Sequence, residues 1–213
     1  MNDLTLVVVG KDRESLGEFE APKSSAVLIY VANVEGRSLA AIANEHLRRC
    51  VTPVFGLCHA DVVFGPGALD AFAVEAVRGH VCGVVGRTLD GIYRCSYNHE
   101  RDAWWTDGVH VAGAGPVSTL DGMAVFFPRI WAVLKENGPW PAILRFDEHN
   151  FDGFHCHVED LCLQAQAQGI QVTVPAADAH HRNHAQTVSF LSDYQRYRAR
   201  LVEKWKGTEF ATT

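Results

Sequence analysis

Apolar residues fall into short continuous runs, and behind the runs into spaced stripes. LTLVVVG (4–10), AVLIYVA (26–32), PVFGLC (53–58), VCGVVGRT (81–88) and IQVTVP (170–175) have strand length and β-branched character, and each predicts a buried strand. Between them the period lengthens. Leu39, Ile42, Ala43 and Leu47 share a helix face behind Ser38, a good cap. Leu69, Phe72, Ala73, Ala76 and Val77 share another behind Pro66. The polar stretch KDRESLGEFEAPKSS after the first strand leaves room for only a very short helix. Residues 89–117 are irregular, and VSTLDGMAVFFPR (117–129) reads as strand and turn before a helix from about 129 to 135. In FDGFHCHVEDLCLQAQAQG (151–169), Val158, Leu161, Cys162 and Ala165 form one stripe that Gly169 ends. AADAHHRNHAQT reads as a loop. SFLSDYQRYRARLVEKWK predicts a final helix with Phe190, Tyr194, Tyr197, Leu201 and Trp205 on one face.

Strands alternating with helices predict an α/β fold with a mostly parallel sheet flanked by helices, in one domain over residues 1–213. A 47% apolar content supplies a sizeable core. A net charge of −6 argues against a nucleic-acid surface, which would be basic. No apolar run reaches bilayer length, and MNDLTLVVVGKDRE lacks the pattern of a signal peptide. Six cysteines without a CxxC pair read as reduced core residues. Together these predict a cytoplasmic protein.

Composition is silent on chemistry, but several clusters are not. In HADV, His59 and Asp61 lie two apart where a strand ends, so both can face one ligand at the sheet edge that α/β folds use for binding. Spacing alone favours a turn Asp and a surface His. LDG (Asp121, Gly122) reads as a turn. Glu159 and Asp160 occupy the first turn of a helix, where unpaired N–H groups and the dipole favour ionised carboxylates. AHHRNH offers His180, His181 and His184, a metal-capable group or a polar loop. Trp104 and Trp105 are core cover or a sugar-stacking platform.

In combination, HAD after a strand, STLDGMAVFFPR, FDGFHCHVEDLCLQAQAQGIQV and the HHRNH loop resemble the GT-A-fold glycosyltransferases of family 2. The likeness is to the bacterial branch of the streptomycin-biosynthesis StrF-type domain, and it covers roughly residues 26–185. The resemblance implies a metal-dependent transfer, inverting at the sugar, from a nucleotide-diphosphate donor to an acceptor hydroxyl. Asp61 matches the last Asp of the metal-binding motif, with His59 replacing the first. His180 or His181 matches the late metal-binding His. Asp160 matches the catalytic base, with Glu159 beside it. Asp121 and Gly122 match the position near donor sugar and acceptor, with His155, Trp104 and Trp105 lining the substrate side. The implied cofactor is Mn²⁺ or Mg²⁺. The N-terminal nucleotide-binding part is trimmed: the Asp usual after the second strand is missing, Asn33 and Glu35 are its polar substitutes, and Asn44 is a further candidate for binding the nucleotide. The alternatives are an inactive nucleotide- or sugar-binding relative and a zinc hydrolase built on His155, Cys156, His157 and the late histidines. Arg196, Arg198, Arg200, Lys204 and Lys206 make the final helix basic, which suggests peripheral contact with a membrane bearing a lipid-linked acceptor.

Overall fold

Strand and helix alternate from the start of the chain in the computed structural model, which describes residues 3–17, 19–20, 24–96, 111–133, 144–182 and 188–212. The first half runs β1 (Leu4–Gly10), α1 (Arg13–Gly17), β2 (Val27–Ala32), α2 (Leu39–Arg49), β3 (Val54–His59), β4 (Val62–Phe64), α3 (Ala68–Val77), β5 (Val81–Gly83), β6 (Val85–Arg87) and β7 (Tyr93–Cys95). The second runs β8 (Val111–Ala112), β9 (Gly115–Pro116), β10 (Thr119–Leu120), β11 (Ala124–Pro128), α4 (Ile130–Val133), α5 (His157–Ala167), β12 (Val172–Val174), β13 (Ala179–His181) and α6 (Val188–Lys204).

The main sheet has seven strands in the order β2-β1-β3-β11-β5-β12-β9. Only β11 and β9 run against the others, so the sheet is mixed but mostly parallel. Its two faces bury separate cores. One holds the apolar stripes of α2 and α5 (Leu39, Ile42, Leu47, Val158, Leu161) against Val7, Phe55 and Phe127. The other holds Leu69, Phe72 and Ala76 of α3 against Leu6, Val8 and Phe126. Phe72 and Phe126 stack with centroids 4.6 Å apart. At Gly56 in β3 a Cβ would come within 2.7 Å of Phe126 and 2.9 Å of Leu6, so only glycine lets that packing form. A third cluster joins α5 to α6 through Phe151, Cys156, Leu163, Tyr197 and Leu201.

Three expectations change. AVLIYVA forms β2, but as the edge strand of the sheet with partly exposed residues throughout. Its apolar run covers one neighbour and a short α1 rather than two full faces. VCGVVGRT divides at Val84: β5 stays in the main sheet and β6 enters a four-stranded sheet, β10-β6-β7-β8. Gly83 and Gly86 permit the division, since a Cβ at either would lie 2.6 Å from a backbone oxygen of the neighbouring strand. The AHHRNH segment begins as a strand, because β13 pairs antiparallel with β4.

Candidate functional site

The carboxyl ends of β1, β2 and β3 lie side by side, with Gly10 opposite Ala32 and Val9 opposite His59. His59 is the last residue of β3. Its N–H donates to the Met123 carbonyl (2.9 Å), and Ala60 donates to the Val9 carbonyl (2.9 Å), which fixes where the strand stops. The chain then turns at Asp61 into β4. The β4–β13 ladder sets His181 opposite Val62, and Arg182 N–H donates to the Asp61 carbonyl (2.8 Å). Two segments about 120 residues apart in sequence are thereby brought together.

The ladder gathers His59, Asp61 and His181, whose ligand atoms all lie within 4.8 Å of one another. His181 Nε2 is 2.9 Å from Asp61 Oδ1, and the rings of His59 and His181 are 6.0 Å apart. Burial lowers the His59 pKa to about 4, which keeps that imidazole neutral and its lone pair available. Its Nε2 is buried without a hydrogen-bond partner among the described residues. Burial opposes ionisation of Asp61, but the His181 hydrogen bond outweighs it and holds the carboxyl below its ordinary range. Two imidazoles and one carboxylate form a donor set that a divalent cation fits. His180, one residue along β13, alternates to the other side of the ribbon.

A second wall comes from the turn after β10. Asp121 accepts the Met123 N–H on Oδ1 (2.9 Å), and burial raises its pKa while His181 pulls it back. Gly122 meets the His157 ring, whose Cε1 would lie 3.5 Å from a Cβ there. His157 opens α5 and is wholly buried, its pKa lowered by burial to about 3. The residue before it, Cys156, caps the helix in the left-handed region (φ 63°), the only non-glycine so placed among the described residues. That backbone turn separates its neighbours. His157 points inward against Phe146 (6.0 Å), while His155 packs edge-on to Tyr194 (5.8 Å). Cys156 itself lies in the α5–α6 cluster, and burial raises its thiol pKa, so it does not join the histidines as a zinc ligand.

Asp160, the residue expected as base, lies at the junction of α5 and α6. It has no solvent exposure. Lys204 Nζ lies 2.7 Å from Oδ1 and 2.9 Å from Oδ2. Trp205 Nε1 donates to Oδ1 (2.8 Å) and Gln164 Nε2 to Oδ2 (2.7 Å). A carboxylate with both oxygens taken by donors anchors α6 to α5 and offers no free lone pair to an acceptor hydroxyl. Glu159, also buried at 3% exposure, precedes it in the same turn.

No known protein family and no curated protein matches the sequence. Among solved structures, the chain superposes on GalNAc-T7, a GT-A-fold glycosyltransferase solved with UDP, GalNAc and Mn²⁺. The TM-score is 0.57 at 7% identity, over 95% of this chain and 48% of that one. The fold is GT-A-like. The chain spans about half the length of GalNAc-T7. It also superposes on A197 from STIV, with a TM-score of 0.48 at 15% identity, over 86% of this chain and 87% of that one.

Within this GT-A-like frame the remaining candidates separate. Asn33 sits after β2 at the same sheet edge as His59, but its side chain closes a turn, accepting Arg37 N–H (2.8 Å) and donating to the Arg37 carbonyl (2.7 Å). Glu35 is exposed on that turn. Asn44 lies on the core face of α2 at 5% exposure and donates to the Phe146 carbonyl (2.8 Å). Asn44 therefore ties α2 to the 144–151 segment and is not placed to meet a nucleotide. Trp104, Trp105 and His184 lie outside the described residues. A cavity of about 600 Å³ lined by Val51, Pro53, Val77 and Arg129 is at the opposite end of β3 and takes no part in this site. Among the described residues no helix is long and apolar enough to cross a membrane. On α6, Arg196 pairs with Asp193 (3.2 Å), Arg200 with Asp152 (2.7 Å) and Lys204 with Asp147 (2.8 Å), which spends much of the basic character read from its sequence.

Sequence reasoning missed Lys204, Trp205 and Gln164 as partners of Asp160, and Phe154 as a neighbour of His59. Gln164 stands at i+4 from Asp160 on a helix, a spacing that signals contact. The other pairings are tertiary and leave no mark in the local sequence.

Proposed function

We infer that the chain transfers a sugar from a nucleotide-diphosphate donor to an acceptor hydroxyl with the help of a divalent cation. The observation that carries this reading is the His59, Asp61 and His181 trio at the carboxyl end of β3 in a GT-A-like sheet. Those three residues would hold the cation, and two imidazoles favour Mn²⁺ over Mg²⁺. A cation there supplies the positive charge that neutralises the leaving diphosphate. The chain's own residues do the rest. Neutral His59 and ionised Asp61 present lone pairs at the strand end. For an inverting reaction, Asp121 suits the proton-accepting role better than Asp160 does. Burial raises its basicity, and among the described residues the Met123 N–H occupies one of its oxygens. The carboxyl ends of the parallel strands at Gly10, Ala32 and His59 are the natural place for the nucleotide. The family 2 and StrF-type likeness of HAD, LDG and HVEDLCL supports the same reading.

A second reading, a nucleotide- or sugar-binding relative without transfer, is favoured by one observation: the carboxylate expected to act as base is sealed by Lys204, Trp205 and Gln164. Calorimetry with UDP, GDP and dTDP, each with and without Mn²⁺, tests both. The transferase and binding readings expect metal-strengthened binding that Asp61→Asn removes. Equal affinity with and without Mn²⁺ sinks both. Asp121→Asn separates them: under the transferase reading it abolishes transfer and leaves nucleoside diphosphate binding within a few fold, since the base acts in the chemical step.

A further inference from the structure

Phe154 is 45% exposed, in a segment where every neighbour is tied down. Phe151 is fully buried in the α5–α6 cluster. Asp152 Oδ1 accepts the Tyr197 hydroxyl (3.0 Å) and Arg200 Nη1 (2.7 Å), and Arg200 also donates to the Asn150 carbonyl (2.9 Å). Gly153 receives the Leu39 N–H on its carbonyl (3.2 Å), and any side chain there would collide with the Tyr197 hydroxyl. Cys156 is fixed in its left-handed turn with its side chain buried. A loop pinned on both sides thus holds one large apolar ring out toward solvent. That ring stands beside the metal-capable trio, its centroid 5.6 Å from the His59 ring and tilted 57° to it.

A lone exposed Phe is ordinary on a protein surface. A rigidly presented one next to polar, ligand-competent groups has the composition of a binding wall: an aromatic face with a few convergent polar atoms. Because the backbone is already ordered, a ligand resting on the ring pays little to fix it. The identity of that ligand follows from covalent order. In a nucleotide sugar, the pyranose is bonded directly to the diphosphate that a cation at His59, Asp61 and His181 would hold. The nucleobase is a ribose further away. Pyranose and ribose adjoin that diphosphate one at each end, and of the two the pyranose presents the broader apolar C–H face, which suits an aromatic surface.

We propose that Phe154 is the stacking platform for the saccharide ring at this site, and that it sets the part of donor affinity contributed by the sugar. The proposal rests on the sugar-transfer reading and adds the residue that recognises the transferred group. The test compares UDP with UDP-glucose and UDP-N-acetylglucosamine, and GDP with GDP-mannose, by calorimetry in Mn²⁺. The proteins are wild type, Phe154→Ala and Phe154→Trp. Phe154→Ala keeps the wild-type melting temperature and binds the free nucleoside diphosphate within twofold, but loses about tenfold in affinity for the matching nucleotide sugar. Phe154→Trp restores it. If the alanine variant loses equally for nucleoside diphosphate and nucleotide sugar, or loses nothing for either, the platform is wrong while the metal-and-diphosphate reading stands. If no nucleoside diphosphate binds the wild type in Mn²⁺, that reading fails and the platform falls with it.

Discussion

Lys204, at the end of α6, places its ammonium 2.7 Å from an oxygen of Asp160, a carboxylate with no solvent exposure in the first helical turn of α5. The same ammonium reaches Asp147 (2.8 Å), so one cation holds two acidic groups and ties the final helix to the segment that builds the site. Lys204→Met removes the cation and leaves Asp160 buried with only the indole and amide donors. The expected loss is about 2–3 kcal/mol, below that of a wholly buried pair because Lys204 is 28% exposed. Urea unfolding measures it. The double variant Lys204→Met with Asp160→Asn should cost less than the two single losses combined; strict additivity would mean that the pair does not interact.

Metal alone should stabilise the protein. A cation that binds only the folded trio raises stability by about 2.7 kcal/mol at a hundredfold excess over its Kd. A thermal-shift titration with MnCl₂ reads this. Asp61→Asn and His181→Ala should each abolish the shift, and His180→Ala should retain it, since His181 lies nearest Asp61. A shift that survives Asp61→Asn would move the cation elsewhere.

Acid should loosen α6 before it unfolds the sheet. Burial pushes the Asp147 carboxyl up, but hydrogen bonds from Lys204 and Asn150 outweigh it and hold its pKa well below the usual range. A depressed carboxyl stabilises the fold above its unfolded pKa of about 4, and that contribution is lost as pH falls through the lower folded value. The helix contact is therefore at full strength at neutral pH and weakens below about pH 4. The indole N–H resonance of Trp205, which reports its bond to Asp160, should shift in that range. Asp147→Asn should flatten the acid limb of the stability curve. An unchanged limb would remove Asp147 from the account.

Anionic vesicles should leave the protein in the supernatant at moderate salt. The basic side chains of α6 that would face a membrane are largely paired: Arg196, Arg200 and Lys204 with carboxylates, and Arg198 Nε with the Thr212 hydroxyl (3.3 Å). Sedimentation that carries the protein down with anionic but not neutral vesicles, and releases it with salt, would restore the membrane role.

Much of the fold was legible because its signals are local. LTLVVVG and PVFGLC are central strands with both faces covered, so an unbroken apolar run describes them well. The stripes of α2 and α5 match the faces that pack on the sheet. AVLIYVA looked identical to a central strand, because a run of apolar residues does not say which strands flank it. VCGVVGRT looked like one strand because the change of sheet at Val84 depends on which partners claim each half. At the site, spacing alone favours a turn Asp and a surface His, and it is the family likeness that nominates His59, Asp61 and either His180 or His181. The choice between His180 and His181 needed the β13 register. Asp160 reads from the sequence as the catalytic base, whereas its partners Lys204 and Trp205 lie 44 and 45 residues away and leave no local signal.

The ribbon of β4 and β13 is held by three residue pairs. In so short a ladder a slip of one position is the natural error, and it would turn every side chain of β13 to the opposite side. Most sites assembled on such a ribbon would be erased by that slip. Here the residues at stake are His180 and His181, and the observed register is the one that sets His181 beside Asp61. Hydrogen bonds beyond both ends of the ladder, from Gly65 N–H to the Asp178 carbonyl (2.6 Å) and from Arg182 N–H to the Asp61 carbonyl (2.8 Å), act as end stops that hold the ribbon in the one alignment that builds the site.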